Sequence, residues 1–546
     1  MTRSLAPDDT EKEKGSERAL LVSRAGVVGA GTLLSRAFGL GRDVTIAALF
    51  DRAQTDAFWI AFAIPNALRQ LLAEGAVTSA VVPILTGKLA TRGDAAAKAF
   101  FARARAVSLL ALSIVTVLGV AFAGPLTETF AGGYHATPGK FERTRELTRV
   151  VFPYVFFMGT AAMGMAALNA KRRFAVAAFA PGLLNVAIVA AAIALRTPLE
   201  ARGVDGVIAL GVGVLAGGAL QVAAQLPSLR ALGFLGRPVL DLRDPGVRDM
   251  LRRIGPMTFG LGIYYVDLVI SRRLLSDLGD GAQSYFSWAT RVCDLPQGIF
   301  VMAISTATLP SLATLAAKGD LEELGKTYAD GMRLAMFVAI PASVALVVLG
   351  EPIVALLFER GRFDAVATRE TARALVWQGG AIFTVAAVRQ LVPTLYALGD
   401  TRTPVIVSAI DSVVFVAMAW GLRRPFGHVG VSMAIGGSTL VQMALLAYAV
   451  RRRIGTLRAR EIGAASARTF ASAAVAAAGA WCAVRAARGL ASGGGAEPTS
   501  LPGLAAGVVF VGLFVAAARA LGSRELGELA APLRRRREPS PRALAT

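Results

Sequence analysis

Residues that carry nucleophilic or metal-binding chemistry are scarce in this chain, which has two cysteines and two histidines among 546 residues. Cys293 and Cys482 stand far apart in apolar segments, without the spacing of a disulfide framework or a metal site. His135 and His428 are isolated in segments that read as loops. Charge is also sparse, at 17%, where a soluble protein carries about 25%. The chain lacks a Gly-rich phosphate loop with its lysine, paired acids on a soluble face, and a nucleotide-binding domain. These absences argue against an enzyme, a metalloprotein and an ATP-powered pump. No catalytic residue, metal or cofactor is expected. Transport energy would have to come from an ion gradient, the membrane potential or substrate flux.

Apolar residues are in excess, at 55%. They gather in blocks of about 18–25, the length that crosses a hydrocarbon core of about 30 Å. The pattern predicts an all-α polytopic membrane protein of about fourteen spans. They lie at 26–50, 57–85, 106–124, 149–169, 174–195, 206–226, 254–275, 284–314, 334–357, 371–398, 404–421, 429–450, 465–486 and 502–521. A net charge of +21 would suggest nucleic acid in a soluble chain. Here basic loops hold the cytoplasmic side and touch anionic membrane lipids. With both termini in the cytoplasm, roughly 34 Lys and Arg fall inside and roughly 16 outside. Residues 1–24 lack the apolar core of a cleavable signal, so the first span is expected to stay.

The chain repeats itself. Ile64-Pro65-Asn66, Val82-Pro83-Ile84-Leu85 and Gly93-Asp94 return as Leu295-Pro296-Gln297, Leu309-Pro310-Ser311-Leu312 and Gly319-Asp320. Gly217-Gly218 returns as Gly436-Gly437. The pairs are about 219–231 residues apart and in the same order, which points to duplication of a six-helix unit. Six spans bring the second copy into the membrane in the same orientation, as in parallel-repeat transporters with a substrate cavity between lobes. The expected organisation is a cytoplasmic tail at 1–24, a first lobe at 25–228 and a cytoplasmic linker at 229–253. A second lobe at 254–453, two further helices at 454–525 and a basic cytoplasmic tail at 526–546 complete it.

Charged residues interrupt three of the apolar runs: Arg36, Arg42 and Asp43; Asn66, Arg69 and Glu74; and Arg291 with Asp294. Each arginine costs about 2.5–3.5 kcal/mol at the bilayer centre, so these side chains should face a wet or protein-lined space. Asn66 and Arg69 share a helix face, as do Arg291 and Asp294. Arg36 and Arg42 diverge on a straight helix, and Gly39 and Gly41 between them offer a break. Pro65, Pro83, Pro296 and Pro310 offer kinks. Convergent arginines suit a pyrophosphate. The competing reading is that each arginine merely pairs with an acid and locks helices, Arg42 with Asp43 fitting this best. Adjacent residues point apart on a helix, however, which leaves Asp43 open to another partner. Asp56 reads either as an outer gate contact or as a solvated loop acid. Asp267 and Asp411, lone acids inside spans, are candidates for proton or monovalent-cation coupling; Asp267 could instead pair with Arg272.

The runs Ser35-Arg36 through Gly41-Arg42-Asp43, Thr55-Asp56-Ala57-Phe58, Ile64-Pro65-Asn66 through Arg69, and Ala73-Glu74-Gly75-Ala76 resemble the MurJ (MviN) lipid II flippases. Leu184-Asn185, Arg291 through Gly298 and Asp400-Thr401-Arg402-Thr403-Pro404 extend the resemblance over nearly the whole chain. It implies a fold of the MATE/MOP exporter kind, with two six-helix lobes and two extra helices forming a groove for a polyprenyl tail at 454–525. It also implies that Arg36, Arg42, Arg69 and Arg291, with Asn66, engage the pyrophosphate, and that Asp43, Asp56, Glu74 and Asp294 act as gating or cavity acids. The substrate would be lipid II, an undecaprenyl-pyrophosphate-linked disaccharide peptide, moved across the bacterial inner membrane beside the cell-wall synthesis machinery. Export of another polyprenyl-linked oligosaccharide or of drugs is the alternative. A drug-cation exporter would instead line its cavity with acids. A membrane glycosyltransferase would need a catalytic acid in a substantial outer loop, and a scaffold would tolerate loss of the arginines.

Overall fold

A computed structural model describes residues 31, 34–69, 78–298, 302–491 and 501–535, and all regular structure among them is helical. The tail at 1–24, Glu74 and residues 536–546 lie outside the described residues. Two compact units divide the chain, Met1–Arg273 and Leu274–Thr546. The boundary falls inside a helix rather than in the linker at 229–253.

The first unit begins with α1 at 34–49. Then come α2 (Arg52–Arg69), α3 (Thr78–Ala121), α4 (Ala123–Ala131), α5 (Lys140–Val151), α6 (Tyr154–Ala170), α7 (Phe174–Glu200), α8 (Ile208–Ala231) and α9 (Pro245–Ser276), whose end passes into the second unit. The second unit continues with α10 (Ala282–Pro296), α11 (Met302–Lys318), α12 (Leu321–Val348), α13 (Gly350–Phe358), α14 (Ala365–Gly380) and α15 (Ile382–Ala397). It ends with α16 (Arg402–Phe426), α17 (His428–Ile454), α18 (Ala459–Ala491), α19 (Leu501–Ala520) and α20 (Arg524–Arg535).

Ten stretches among the described residues are long and apolar enough to cross a membrane. They match ten of the fourteen predicted spans. The other four, at 26–50, 57–85, 254–275 and 284–314, are those that carry the buried charges or run into undescribed residues. Large apolar side chains face outward, among them Val413 at 69% and Val508 at 74% exposure. A soluble protein does not tolerate such a surface over helix after helix; hydrocarbon does.

The repeat is visible in the backbone. Gly93 (φ 76°) interrupts α3, and Gly319 (φ 74°) ends α11 just before α12. Both adopt the left-handed conformation that glycine reaches without strain, and each precedes an aspartate. Gly217 and Gly437, one position out of register in the repeat, both pack close to a neighbouring helix. A Cβ on Gly217 would stand 2.7 Å from the Leu184 Cα on α7, and one on Gly437 would stand 2.2 Å from the Met418 Cε on α16. Small residues let membrane helices approach this closely.

Helix α1 runs unbroken through Gly39 and Gly41, contrary to the expected break. Gly39 faces α7, where a Cβ would lie 3.6 Å from the Asn185 side chain, an ordinary van der Waals contact. A glycine weakens a helix by only about 0.5–1 kcal/mol, too little to bend one packed against α7. Pro65, Pro83, Pro296 and Pro310 all lie within helices; after Pro296 the backbone widens into a π-type turn at 297–298.

Candidate functional site

In the first unit, Arg42 is buried and committed. Its Nε and Nη2 donate to Asp43 Oδ1 at 2.9 and 2.6 Å, and its Nη1 donates to Asn185 Oδ1 at 3.0 Å. The Asn185 amide in turn donates to the Ser35 carbonyl at 3.1 Å. Sequence reasoning held that neighbours on a helix point apart. The long guanidinium stem folds back along the helix and overcomes that divergence. Arg42 therefore ties α1 to α7. Arg36 and Arg69 are half-buried. Arg69 Nε donates to Asn66 Oδ1 at 3.0 Å, as their shared helix face predicted.

Asp56 is no solvated loop acid: its exposure is 0%. Lys140 Nζ, on a side chain 1% exposed, reaches Asp56 Oδ2 at 2.8 Å and lies 4.2 Å from the centre of the Tyr134 ring. This buried ion pair joins α2 to α5. The sequence hid Lys140, because it falls between apolar runs in a stretch that reads as an outer loop.

A second clamp lies nearby. Asp205, between α7 and α8, accepts hydrogen bonds from Gln54 at 2.8 Å, from the Val207 amide at 3.1 Å and from Arg143. Burial pushes its carboxyl up, but the Val207 amide, Gln54 and Arg143 together hold it below the ordinary carboxylate range. A carboxyl lowered on folding stabilises the protein above its unfolded value and loses that contribution as pH falls through the folded one. Asp205→Asn is expected to cost about 1 kcal/mol at pH 7, with the deficit closing in acid. Thermal unfolding of both forms across pH 3–7 checks this; a deficit that stays constant contradicts it.

In the second unit, Arg291 Nη1 stands 3.8 Å from Asp294 Oδ2, and both side chains keep substantial exposure. The neighbouring Thr290 hydroxyl donates to Gln378 Oε1 at 2.9 Å. Asp411 on α16 is half-buried, as is Asp267 of α9 in the first unit.

The second unit also holds a groove of about 1320 Å³. Its lining is almost wholly apolar and includes Met332, Met336, Phe383, Met443, Phe470 and Trp481. Along α18 the lining runs from Ala459 to Cys482, about 35 Å at 1.5 Å per residue, enough to cross a hydrocarbon core of about 30 Å. The walls are α12, α15, α17 and α18 rather than the last two helices alone. Among the described residues none of α19 lines the groove; Ala506 and Phe510 of α19 pack instead with Ala473, Ala476 and Ala480 to back α18.

A family model described as lipid II flippase MurJ matches residues 46–490. The chain belongs to the MurJ family. The lipid II flippase MurJ of Burkholderia cenocepacia is 35% identical over 434 residues, covering 77% of this chain and 82% of that protein. The probable lipid II flippase MurJ of Vibrio cholerae is 34% identical over 432 residues, covering 77% and 81%. Among solved structures, a lipid II flippase MurJ in an inward closed conformation superposes with a TM-score of 0.72 at 21% identity, covering 90% of this chain and 99% of that one. An inward-facing MATE multidrug resistance transporter of the MOP superfamily gives 0.63 at 17% identity, covering 78% and 95%. These likenesses establish the MurJ fold, common to MATE transporters, and a multi-pass membrane protein. Besides Lys140, the site residue that sequence reasoning passed over is Asn185: it stands in the run that resembles MurJ, yet only its contact with Arg42 exposes its part.

Proposed function

We propose that the chain is a flippase that moves lipid II from the cytoplasmic to the periplasmic leaflet by alternating access. The observation that carries this reading is the membrane-length apolar groove along α18 in a chain of the MurJ family. A polyprenyl tail drawn through water would cost about 0.8 kcal/mol for each CH₂. A groove that reaches from one end of α18 to the other keeps the tail in apolar surroundings while the headgroup crosses. Drug export requires no such length.

Arg36, Arg69 and Arg291 are assigned to the pyrophosphate. Guanidinium suits it because the planar fork offers paired donors and stays charged at any working pH. Asn66 orients Arg69. Asp267 and Asp411 are assigned to proton or monovalent-cation coupling. The bias of basic loops supports cytoplasmic termini in the bacterial inner membrane. The enzymes that polymerise the delivered precursor, the cell-wall synthesis machinery, are the expected neighbours.

Filling the groove tests the reading. Gly463 lines it, and a Cβ there meets nothing within 4 Å. Gly463→Trp should insert without disturbing α18 and block the tail. In cells that depend on this protein alone, the variant should accumulate to normal levels while lipid II stays in the cytoplasmic leaflet. Normal outward exposure of lipid II with Gly463→Trp would rule out the groove as the path of the tail.

A further inference from the structure

A smaller cavity of about 150 Å³ lies in the first unit among α3, α6 and α8. Its walls are mostly apolar, including Phe101, Leu109, Met163 and Leu226. Two polar side chains line it without being satisfied by the protein. Gln225 is 1% exposed, and neither its Nε2 nor its Oε1 has a hydrogen-bond partner. Arg105 donates through Nη1 to the Phe234 carbonyl at 3.4 Å and through Nη2 to the Gly236 carbonyl, while its Nε has no partner. Both carbonyls belong to the segment between α8 and α9 and are neutral.

A half-buried guanidinium held only by neutral carbonyls favours an anion. A buried amide with both ends open needs an acceptor and a donor together. Leu226 at the rim is 43% exposed, on the apolar outer surface that faces hydrocarbon. The occupant must therefore be anionic, carry a donor beside its charge and continue into hydrocarbon. We propose that this cavity binds the headgroup of an anionic glycerophospholipid with a free hydroxyl, in the leaflet that borders the segment between α8 and α9. The phosphate accepts from Arg105 Nε and Gln225 Nε2. A headgroup hydroxyl donates to Gln225 Oε1, and the acyl chains leave past Leu226. Gly164 keeps the space open, because a Cβ there would stand 2.2 Å from Gln225 Oε1.

The test uses the full-length protein in detergent, with phosphatidylglycerol as the probe and thermal stability and native mass spectrometry as readouts. Phosphatidylglycerol should raise the Tm of the wild type and remain bound as one copy. Phosphatidylcholine, which lacks the hydroxyl and adds a cation, should do neither, and nor should free glycerol phosphate, which lacks the chains. Gln225→Leu replaces an unsatisfied amide by an apolar group of similar size, so the lipid-free Tm should hold or rise. That variant should bind phosphatidylglycerol about tenfold more weakly. Gly164→Ala, which pushes the amide into the cavity, should show the same loss. Equal stabilisation of the wild type and Gln225→Leu by phosphatidylglycerol overturns the proposal, as does a wild type that no lipid stabilises, with water alone meeting Gln225. Stabilisation by glycerol phosphate equal to that by the lipid overturns it too. These readouts count phospholipid and stand whatever substrate the protein carries.

Discussion

Arg69→Ala and Arg291→Ala are each expected to abolish lipid II transport while the protein accumulates and unfolds close to its normal temperature. Neither side chain is deeply buried, and the contact each makes with its neighbour, Arg69 with Asn66 and Arg291 with Asp294, lies within one helix turn. Partly exposed contacts of this kind are worth little, so stability should change by about 1 kcal/mol or less. Transport should fall by at least about a hundredfold, the cost of losing a charge-assisted bidentate contact to a pyrophosphate. Arg42→Ala should behave differently. It takes the guanidinium from the buried Asp43 carboxylate and cuts the tie to Asn185, so a loss of about 3–5 kcal/mol in stability is expected. Lysine at position 69 or 291 keeps the charge but not the planar fork, and should recover only part of the activity. Measuring protein level, Tm and transport for the same set of variants separates the two classes. An Arg69→Ala protein that transports at the wild-type rate would remove that residue from the substrate path.

The second large effect concerns Asp56. Asp56→Ala leaves the Lys140 ammonium buried without the carboxylate 2.8 Å away, and breaking one half of a buried pair costs about 3–5 kcal/mol. Replacing both partners with apolar groups of similar volume, Asp56→Leu with Lys140→Met, should restore part of that stability, because two desolvated charges disappear together. The double variant then decides what the pair is for. If Asp56 is a gate contact, the refolded double variant stays inactive. If the pair only locks α2 to α5, activity returns with stability. Thermal unfolding and transport of the single and double variants supply the comparison.

Much of the fold was legible because it follows from length and period. Apolar blocks long enough to span a bilayer gave the helices, and the matched Gly-Asp steps at Gly93 and Gly319 gave the duplication, since a left-handed turn needs glycine wherever it recurs. The pairing of Asn66 with Arg69, and of Arg291 with Asp294, followed from helix geometry alone. The contacts that escaped are those made across helices. Nothing in the spacing of Asp56 and Lys140 brings them together, and neither does the spacing of Arg42 and Asn185. The Arg42–Asp43 contact escaped for a different reason, because a side chain with four rotatable bonds can return along its own helix where a rigid one cannot. The groove walls on α12, α15 and α17 carry ordinary apolar sequence that gives no sign of it. Only their arrangement beside α18 leaves a channel.

We propose that this chain carries lipid II across a bilayer with its tail in the α18 groove. The direct measurement reconstitutes the full-length protein in vesicles containing labelled lipid II and follows how much of the label an impermeant reagent reaches. With wild-type protein, accessible label should rise from the outer-leaflet half toward completion. With Gly463→Trp or Arg69→Ala it should stay at the level of protein-free vesicles. Wild-type protein that leaves the label at that half, at every sodium concentration, pH and potential applied, would contradict the claim.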